Sequence, residues 1–168
     1  AAIGIGLPVD ESSGSIIVDI GGGTTEMAVT ALGGIVVNKS IRTAGDELDE
    51  AVIGFLRLKY GVLIGQPTAE QVKISIGSAY SLKNEEEKFA VVRGRDLETG
   101  LPKSLKISSS EIREALAPVI NQIIAAVSDL LEQTPPELAS DIVNRGMALA
   151  GGGSLLANID LAISEATK

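Results

Sequence analysis

The stretch Ile16-Ile17-Val18-Asp19-Ile20-Gly21-Gly22-Gly23-Thr24-Thr25 decides how this chain is read. An apolar strand carries one carboxylate near its end, then meets three glycines and two hydroxyls. Glycine lets a backbone turn with positive φ, and its missing Cβ lets a ligand reach the N–H groups. A row of N–H donors in such a turn forms a concavity suited to phosphate. Asp19 repels a phosphate directly, but a carboxylate there can hold a hydrated Mg2+, which prefers oxygen ligands and keeps several waters. The same three glycines also fit a plain hairpin turn between two strands. Asp19 before them and the paired threonines after them turn the reading toward phosphate.

Composition narrows the classes. A chain of 168 residues suits one domain or two small lobes. It is 45% hydrophobic but only 2% aromatic, so its core must be Ile, Val, Leu and Ala. The net charge of −8 excludes nucleic acid, whose phosphates would be repelled. It also argues against docking of this segment on an anionic membrane. The chain has no cysteine and no histidine. Disulfides, thiolate chemistry, Ser-His-Asp hydrolysis and zinc catalysis are therefore excluded within it. No signal peptide and no apolar stretch long enough to span a bilayer is read, so a cytoplasmic location is expected. The start at Ala1-Ala2-Ile3 and the end at Lys168, inside a helical-looking pattern, read as a piece of a longer chain.

Strand-like runs at 15–20, 25–31 and 35–42 are separated by Gly21-Gly22-Gly23 and Gly33-Gly34, which predicts an antiparallel meander. Asp46 is expected to cap a helix through Leu48, Val52, Phe55 and Leu56. A loop with Gly61, Gly65 and Pro67 precedes a second helix, with Thr68 as its expected cap and Gly77 as its end. Residues 82–88 read as a charged, solvated loop, and runs at 88–94 and 103–107 as a further hairpin. Ser108 with Glu111 forms a capping-box pattern before a long amphipathic helix with Pro118 inside, where a kink or break is expected. Pro135-Pro136 opens a short helix to about Asn144.

The last block runs a strand, Met147-Ala148-Leu149-Ala150, into Gly151-Gly152-Gly153-Ser154, with a helix expected from about Leu155. Such a unit can aim N–H groups and a helix N-terminus at one spot, or it can simply allow close packing. Two glycine loops, each after a strand, together favour one ligand. The expected organisation is two lobes: 1–45 with 135–168 as a nucleotide-binding core, and 46–134 as an insert of helices and one hairpin.

Asp19-Ile20-Gly21-Gly22-Gly23-Thr24-Thr25 resembles the second phosphate loop of the actin-like ATPase superfamily, and Ala150-Gly151-Gly152-Gly153-Ser154 resembles its adenosine loop. Further stretches are similar to the MreB family of bacterial actin homologues, which shape rods. They are Gly6-Leu7-Pro8-Val9, Arg42-Thr43-Ala44-Gly45-Asp46, Leu63-Ile64-Gly65, Ile76-Gly77-Ser78-Ala79-Tyr80, Val92-Arg93-Gly94-Arg95 and Pro135-Pro136-Glu137-Leu138-Ala139-Ser140-Asp141-Ile142. The similarity runs over essentially the whole chain.

The resemblance implies an α/β fold of the actin-like, ribonuclease H-like type: a mixed sheet beginning with a meander, flanked by helices, with a helix-rich insert. It implies ATP and Mg2+ as ligands. Asp19 would position Mg2+ through water, and Gly21, Gly22, Gly23, Thr24 and Thr25 would bind phosphates. Glu70 and Lys73 would border the ribose and adenine, although an i, i+3 pair of this kind is also an ordinary surface ion pair. Gly151, Gly152, Gly153 and Ser154 would pack on the adenosine. The family's other phosphate loop and its catalytic acidic residue have no match here, so no catalytic residue is expected in this stretch. The whole protein is expected to be a slow ATPase that forms head-to-tail filaments of itself at the inner face of the membrane. Its expected partners are cell-shape and wall-synthesis membrane proteins, with membrane contact through the other domain. The competing readings are a chaperone-type ATPase, a small-molecule kinase of the same superfamily, and an interaction domain without nucleotide.

Overall fold

The computed structural model describes residues 2–8 and 10–167. Val9 of the first family-like stretch and the terminal Lys168 lie outside the described residues. In chain order the strands are β1 (Ser15–Ile20), β2 (Thr25–Ala31), β3 (Gly34–Ile41), β4 (Val62–Leu63), β5 (Phe89–Asp96), β6 (Pro102–Ser108) and β7 (Met147–Ala150). The helices are α1 (Gly45–Tyr60), α2 (Gln66–Ile76), α3 (Ser109–Glu132), α4 (Pro136–Arg145) and α5 (Ile159–Thr167). Residues fall into two compact units: 1–45, 122–155 and 163–168 in the first, and 46–121 with 156–162 in the second.

The first unit is built on a sheet of order β3-β2-β1-β7. β1 pairs antiparallel with β2 and parallel with β7, and β2 pairs antiparallel with β3. The expected meander is thus observed. Alternation sets the faces. Ile16, Val18, Ile20, Met27 and Val29 fill one face and are at most 2% exposed. Ile17, Asp19, Glu26, Ala28 and Thr30 share the other. α4 packs against β1. Gly14 permits this contact, because a Cβ there would meet Leu138 at 2.9 Å, and its N–H donates to Asp141 at 2.9 Å.

The second unit combines α1, α2 and the first half of α3 with a sheet of order β4-β5-β6. β4 extends the expected hairpin into three strands. At two residues it is too short to show a period in sequence. Its edge contact requires Gly94, where a Cβ would lie 2.5 Å from the Leu63 carbonyl oxygen. Leu48, Val52 and Leu56 of α1 and Ala69, Val72 and Ile76 of α2 are buried, as helical spacing demands.

Several local expectations are corrected. Asp46 lies inside the first turn of α1, where its charge suits the helix dipole but does not cap. Gly65 is the cap residue of α2, and Thr68 sits in its first turn behind Pro67. α3 continues through Pro118. Pro118 and Glu114 are both exposed, so the carbonyl that proline leaves without a donor has water to meet. Residues 152–155 form a short 3-10 turn, and α5 begins only at Ile159. By length and composition alone, α3 is long and apolar enough to cross a membrane, contrary to the sequence reading. Its Ile112, Leu116, Ile123, Val127 and Leu130 are fully buried in the protein, as in a core helix.

The capping box opens α3 as expected. The Ser108 N–H and hydroxyl both donate to the Glu111 carboxylate, at 3.0 and 3.1 Å. The Tyr60 hydroxyl donates to the same carboxylate, and Lys59 pairs with it at 2.9 Å. Burial by itself raises the Glu111 carboxyl, but the hydrogen bonds from Tyr60, Lys59 and Ser108 overcome this and lower it from 4.5 to about 2. The folded value lies below the unfolded one. This stabilisation is therefore complete above about pH 4.5 and is lost as the pH falls toward 2. Urea denaturation at stepped acid pH should show stability declining in that window. Glu111→Gln should flatten the decline, and an unchanged slope in the variant would show that other carboxylates carry it.

Candidate functional site

Two glycine loops lie side by side in the first unit because two strands end level. β1 and β7 run parallel, with Asp19 opposite Ala150. Their carboxyl ends therefore release Gly21 and Gly151 at one end of the sheet. In open α/β sheets this is where ligands bind.

The first loop is held by its own backbone and by the residues before α1. The Gly21 N–H donates to the Thr24 carbonyl at 2.9 Å, and Gly45 N–H donates to the Gly21 carbonyl at 3.1 Å. Gly21 does not use the left-handed region. Its lack of a Cβ serves close packing instead, since a Cβ would lie 3.1 Å from the Thr24 carbonyl oxygen. Gly45 backs the loop in the same way, 3.2 Å from the Gly21 oxygen if a Cβ were added. Sequence reading quoted Gly45 within the stretch Arg42-Thr43-Ala44-Gly45-Asp46 but gave it no role in the loop. The run of small residues Ala44-Gly45 was the available signal. Gly22, Gly23 and Thr24 are exposed, and their N–H groups have no hydrogen-bond partner among the described residues. Thr25 differs from them. It is fully buried and its hydroxyl donates to the Thr43 carbonyl at 2.7 Å. It anchors the loop from below. Thr25→Val should destabilise the protein by about 1 kcal/mol, because a fully buried hydroxyl loses its hydrogen bond to the half-buried Thr43 carbonyl. Chemical denaturation measures this, and a change below about 0.3 kcal/mol would show that the bond is not needed.

The second loop fits against the end of β1. Gly151 has φ +82°, and a Cβ there would lie 2.3 Å from the Ile20 carbonyl oxygen and 2.5 Å from Asp19 Oδ1. At Gly153 a Cβ would lie 2.3 Å from Ile20 Cγ2, whereas Gly152 has nothing within 4 Å. The Ser154 hydroxyl donates to the Gly151 carbonyl at 2.7 Å, closing the 3-10 turn. Close packing is thus part of why these glycines are present. It also leaves the Asp19 carboxylate room at the junction of the two loops.

Asp19 is half-buried on the face that carries Ile17. Glu26 stands directly across from it in the β1–β2 register. Both line a cavity of about 580 Å3, together with Ala28, Asn38 and Ser40. Like charges facing across a strand pair are unfavourable by themselves. Glu26 is a site candidate that motif reading missed, because only the register places it beside Asp19. Among the described residues no cluster of three metal-ligating side chains occurs.

Glu70 and Lys73 lie on α2 of the second unit. Glu70 is exposed. The Lys73 ammonium lies 2.7 Å from Asp49 Oδ1 of α1, and both side chains are largely buried, at 13% and 6% exposed. Lys73 thus pairs with α1, a contact across helices that spacing along α2 does not reveal.

The model of the MreB/Mbl protein family matches residues 1–168. The chain belongs to the MreB/Mbl family. It is 53% identical over 167 residues to the cell shape-determining protein MreB of Escherichia coli (strain K12), covering 99% of this chain and 48% of that protein. It is 42% identical over 168 residues to the cell shape-determining protein Mbl of Bacillus subtilis (strain 168), covering 100% of this chain and 50% of that protein. The chain thus spans about half the length of the curated MreB/Mbl relatives it matches. Among solved structures, MreB5 of Spiroplasma citri bound to AMPPNP superimposes with a TM-score of 0.92 at 44% identity, over 98% of this chain and 49% of that one. The ethanolamine utilization protein EutJ of Carboxydothermus hydrogenoformans matches at a TM-score of 0.62 and 21% identity, over 99% of this chain and 44% of that one, which shows the shared actin-like fold.

Proposed function

We propose that the first unit of this MreB/Mbl chain is a nucleotide-binding core that holds Mg-ATP at its two glycine loops, the phosphates at the first and the adenosine at the second. The observation that carries this reading is the level alignment of the loops at the ends of β1 and β7, with Asp19 at their junction. The exposed N–H groups of Gly22, Gly23 and Thr24 are the phosphate donors. Gly21 and Thr25 shape the loop. Gly151, Gly152, Gly153 and Ser154 are proposed to pack on the adenosine. The site fits Mg2+ by its chemistry: Asp19 and Glu26 present hard oxygens side by side, and a divalent cation would relieve their repulsion. Asp19 would hold Mg2+, which would supply neutralisation of phosphate charge. The 44% identical MreB5 structures bound to AMPPNP and to ADP support nucleotide as the ligand. Glu70 and Lys73 are proposed as nucleoside contacts on the second unit.

Within the whole protein, the proposed role is that of a filament-forming ATPase that organises cell shape and, through membrane partners, wall synthesis. The name of the E. coli relative supports the cell-shape part. A head-to-tail contact between copies is heterologous and so extends without closing. This stretch by itself is proposed to bind without turnover.

Backbone amide NMR with Mg-ATP tests the reading. Shifts should cluster at 21–25 and 151–154, and Asp19→Ala should weaken binding about tenfold in Mg2+ while changing little without it. No shifts at millimolar nucleotide, with the fold intact, would leave the loops as packing devices and sink the proposal.

A further inference from the structure

The second unit carries a sheet face that the proposed nucleotide site does not use. On one side of β4-β5-β6, Val62, Val92 and Ile107 are at most 1% exposed. The opposite side presents Leu63, Phe89, Val91, Arg93, Arg95 and Lys106, all exposed. Register places them together: Leu63 is opposite Arg95, and Val91 is opposite Lys106. A solvated face of an antiparallel sheet normally carries polar side chains. Here Phe89 is 53% and Val91 67% exposed. No position of this face in β4, β5 or β6 is acidic, although the chain has 22 acidic and 14 basic residues. Arg93, Arg95 and Lys106 make no ion pair among the described residues. The Lys106 ammonium lies 4.1 Å above the Phe89 ring, a cation–π contact that holds both in place.

We infer that this face docks an extended, acidic segment of another protein, one that carries an apolar stretch followed by a run of carboxylates. Charge selects the partner. Three unpaired cations on an otherwise acidic molecule attract carboxylates and repel nothing on the partner's side. Shape argues for a protein segment over a bilayer. A membrane-inserting surface must push apolar groups about 5–10 Å past the headgroups, and Phe89 lies under Lys106 instead of projecting. Phe89 and Val91 supply an apolar strip at one end of β5, and Arg93 and Arg95 a cationic strip at the other. This inference is independent of nucleotide binding.

The test titrates the 15N-labelled chain with a short capped peptide that carries a Leu stretch followed by a Glu stretch, with a peptide carrying Lys in place of Glu, the Lys–Leu peptide, as control. Amide shifts confined to β5 and β6, weakening with salt and absent for the Lys–Leu peptide, are expected. The combined variant R93E/R95E/K106E should lose at least about tenfold in affinity. Val91→Asp, a single exposed change, reads the same face should the triple variant fold poorly. Binding that is absent, located elsewhere, or unchanged in these variants would overturn the proposal. So would variant-sensitive binding to phosphatidylglycerol vesicles without peptide binding, or sedimentation showing that the face pairs two copies of this chain.

Discussion

Gly151→Ala is expected to destabilise the protein by roughly 3 kcal/mol and to disrupt both glycine loops at once. Two effects add. The residue sits at φ +82°, where an L side chain is strained by about 1 kcal/mol. Its Cβ would also lie 2.3 Å from a backbone oxygen, Ile20 O, and 2.7 Å from the carbon bearing it. Backbone cannot rotate aside as a flexible side chain can. The strain must move β7 against β1, or drive the loop away from Asp19. The neighbouring position supplies the control. Gly152→Ala meets nothing within 4 Å and has no positive φ, so it should change stability by less than about 0.5 kcal/mol. Thermal and urea denaturation of the two variants decide the matter. Equal effects would mean that the loop is free to move and that Asp19 is not confined at the junction.

Asp49→Ala is expected to cost about 3–5 kcal/mol, because the largely buried Lys73 ammonium loses the carboxylate 2.7 Å away. Lys73→Met should cost a similar amount by stranding Asp49 among Leu48, Val52 and Leu56 of α1. The combined replacement Asp49→Leu with Lys73→Met should be far less damaging than the sum, since an apolar pair needs no desolvation of charge. Additive losses in a double-mutant cycle would show that the pair is uncoupled. The pair also bears on the proposed nucleoside contact. A lysine fixed by Asp49 is held in one place but shares its charge, so Lys73→Met should weaken nucleotide binding less than its effect on stability suggests.

Much of this was legible along the chain, and the reasons are particular. The meander followed from three strand-like runs and from the glycines at both turns. The opening of α3 followed from a capping box whose two partners are three residues apart. The two glycine loops pointed to the superfamily, and the resemblance to the family rested on the further stretches, above all Pro135-Pro136-Glu137-Leu138. Features set by distant contacts were not legible. Gly65 displaced Thr68 as cap because Pro67 fits the first turn. β4 is only two residues long and exists because β5 offers it an edge.

Along the chain itself, resemblance pointed to the family and its fold, and the positions of two glycine loops were legible because glycine, carboxylate and hydroxyl at fixed local spacing permit few backbone paths. Tertiary structure alone decided that β7 lies parallel to β1, bringing Gly151 against Asp19 from 132 positions away. It decided that Glu26 faces Asp19, that Thr25 anchors instead of presenting its hydroxyl, and that Lys73 turns to Asp49. Each of these depends on strand register or helix packing, where the partner is chosen by burial and close approach across the fold, and local spacing carries no record of that choice.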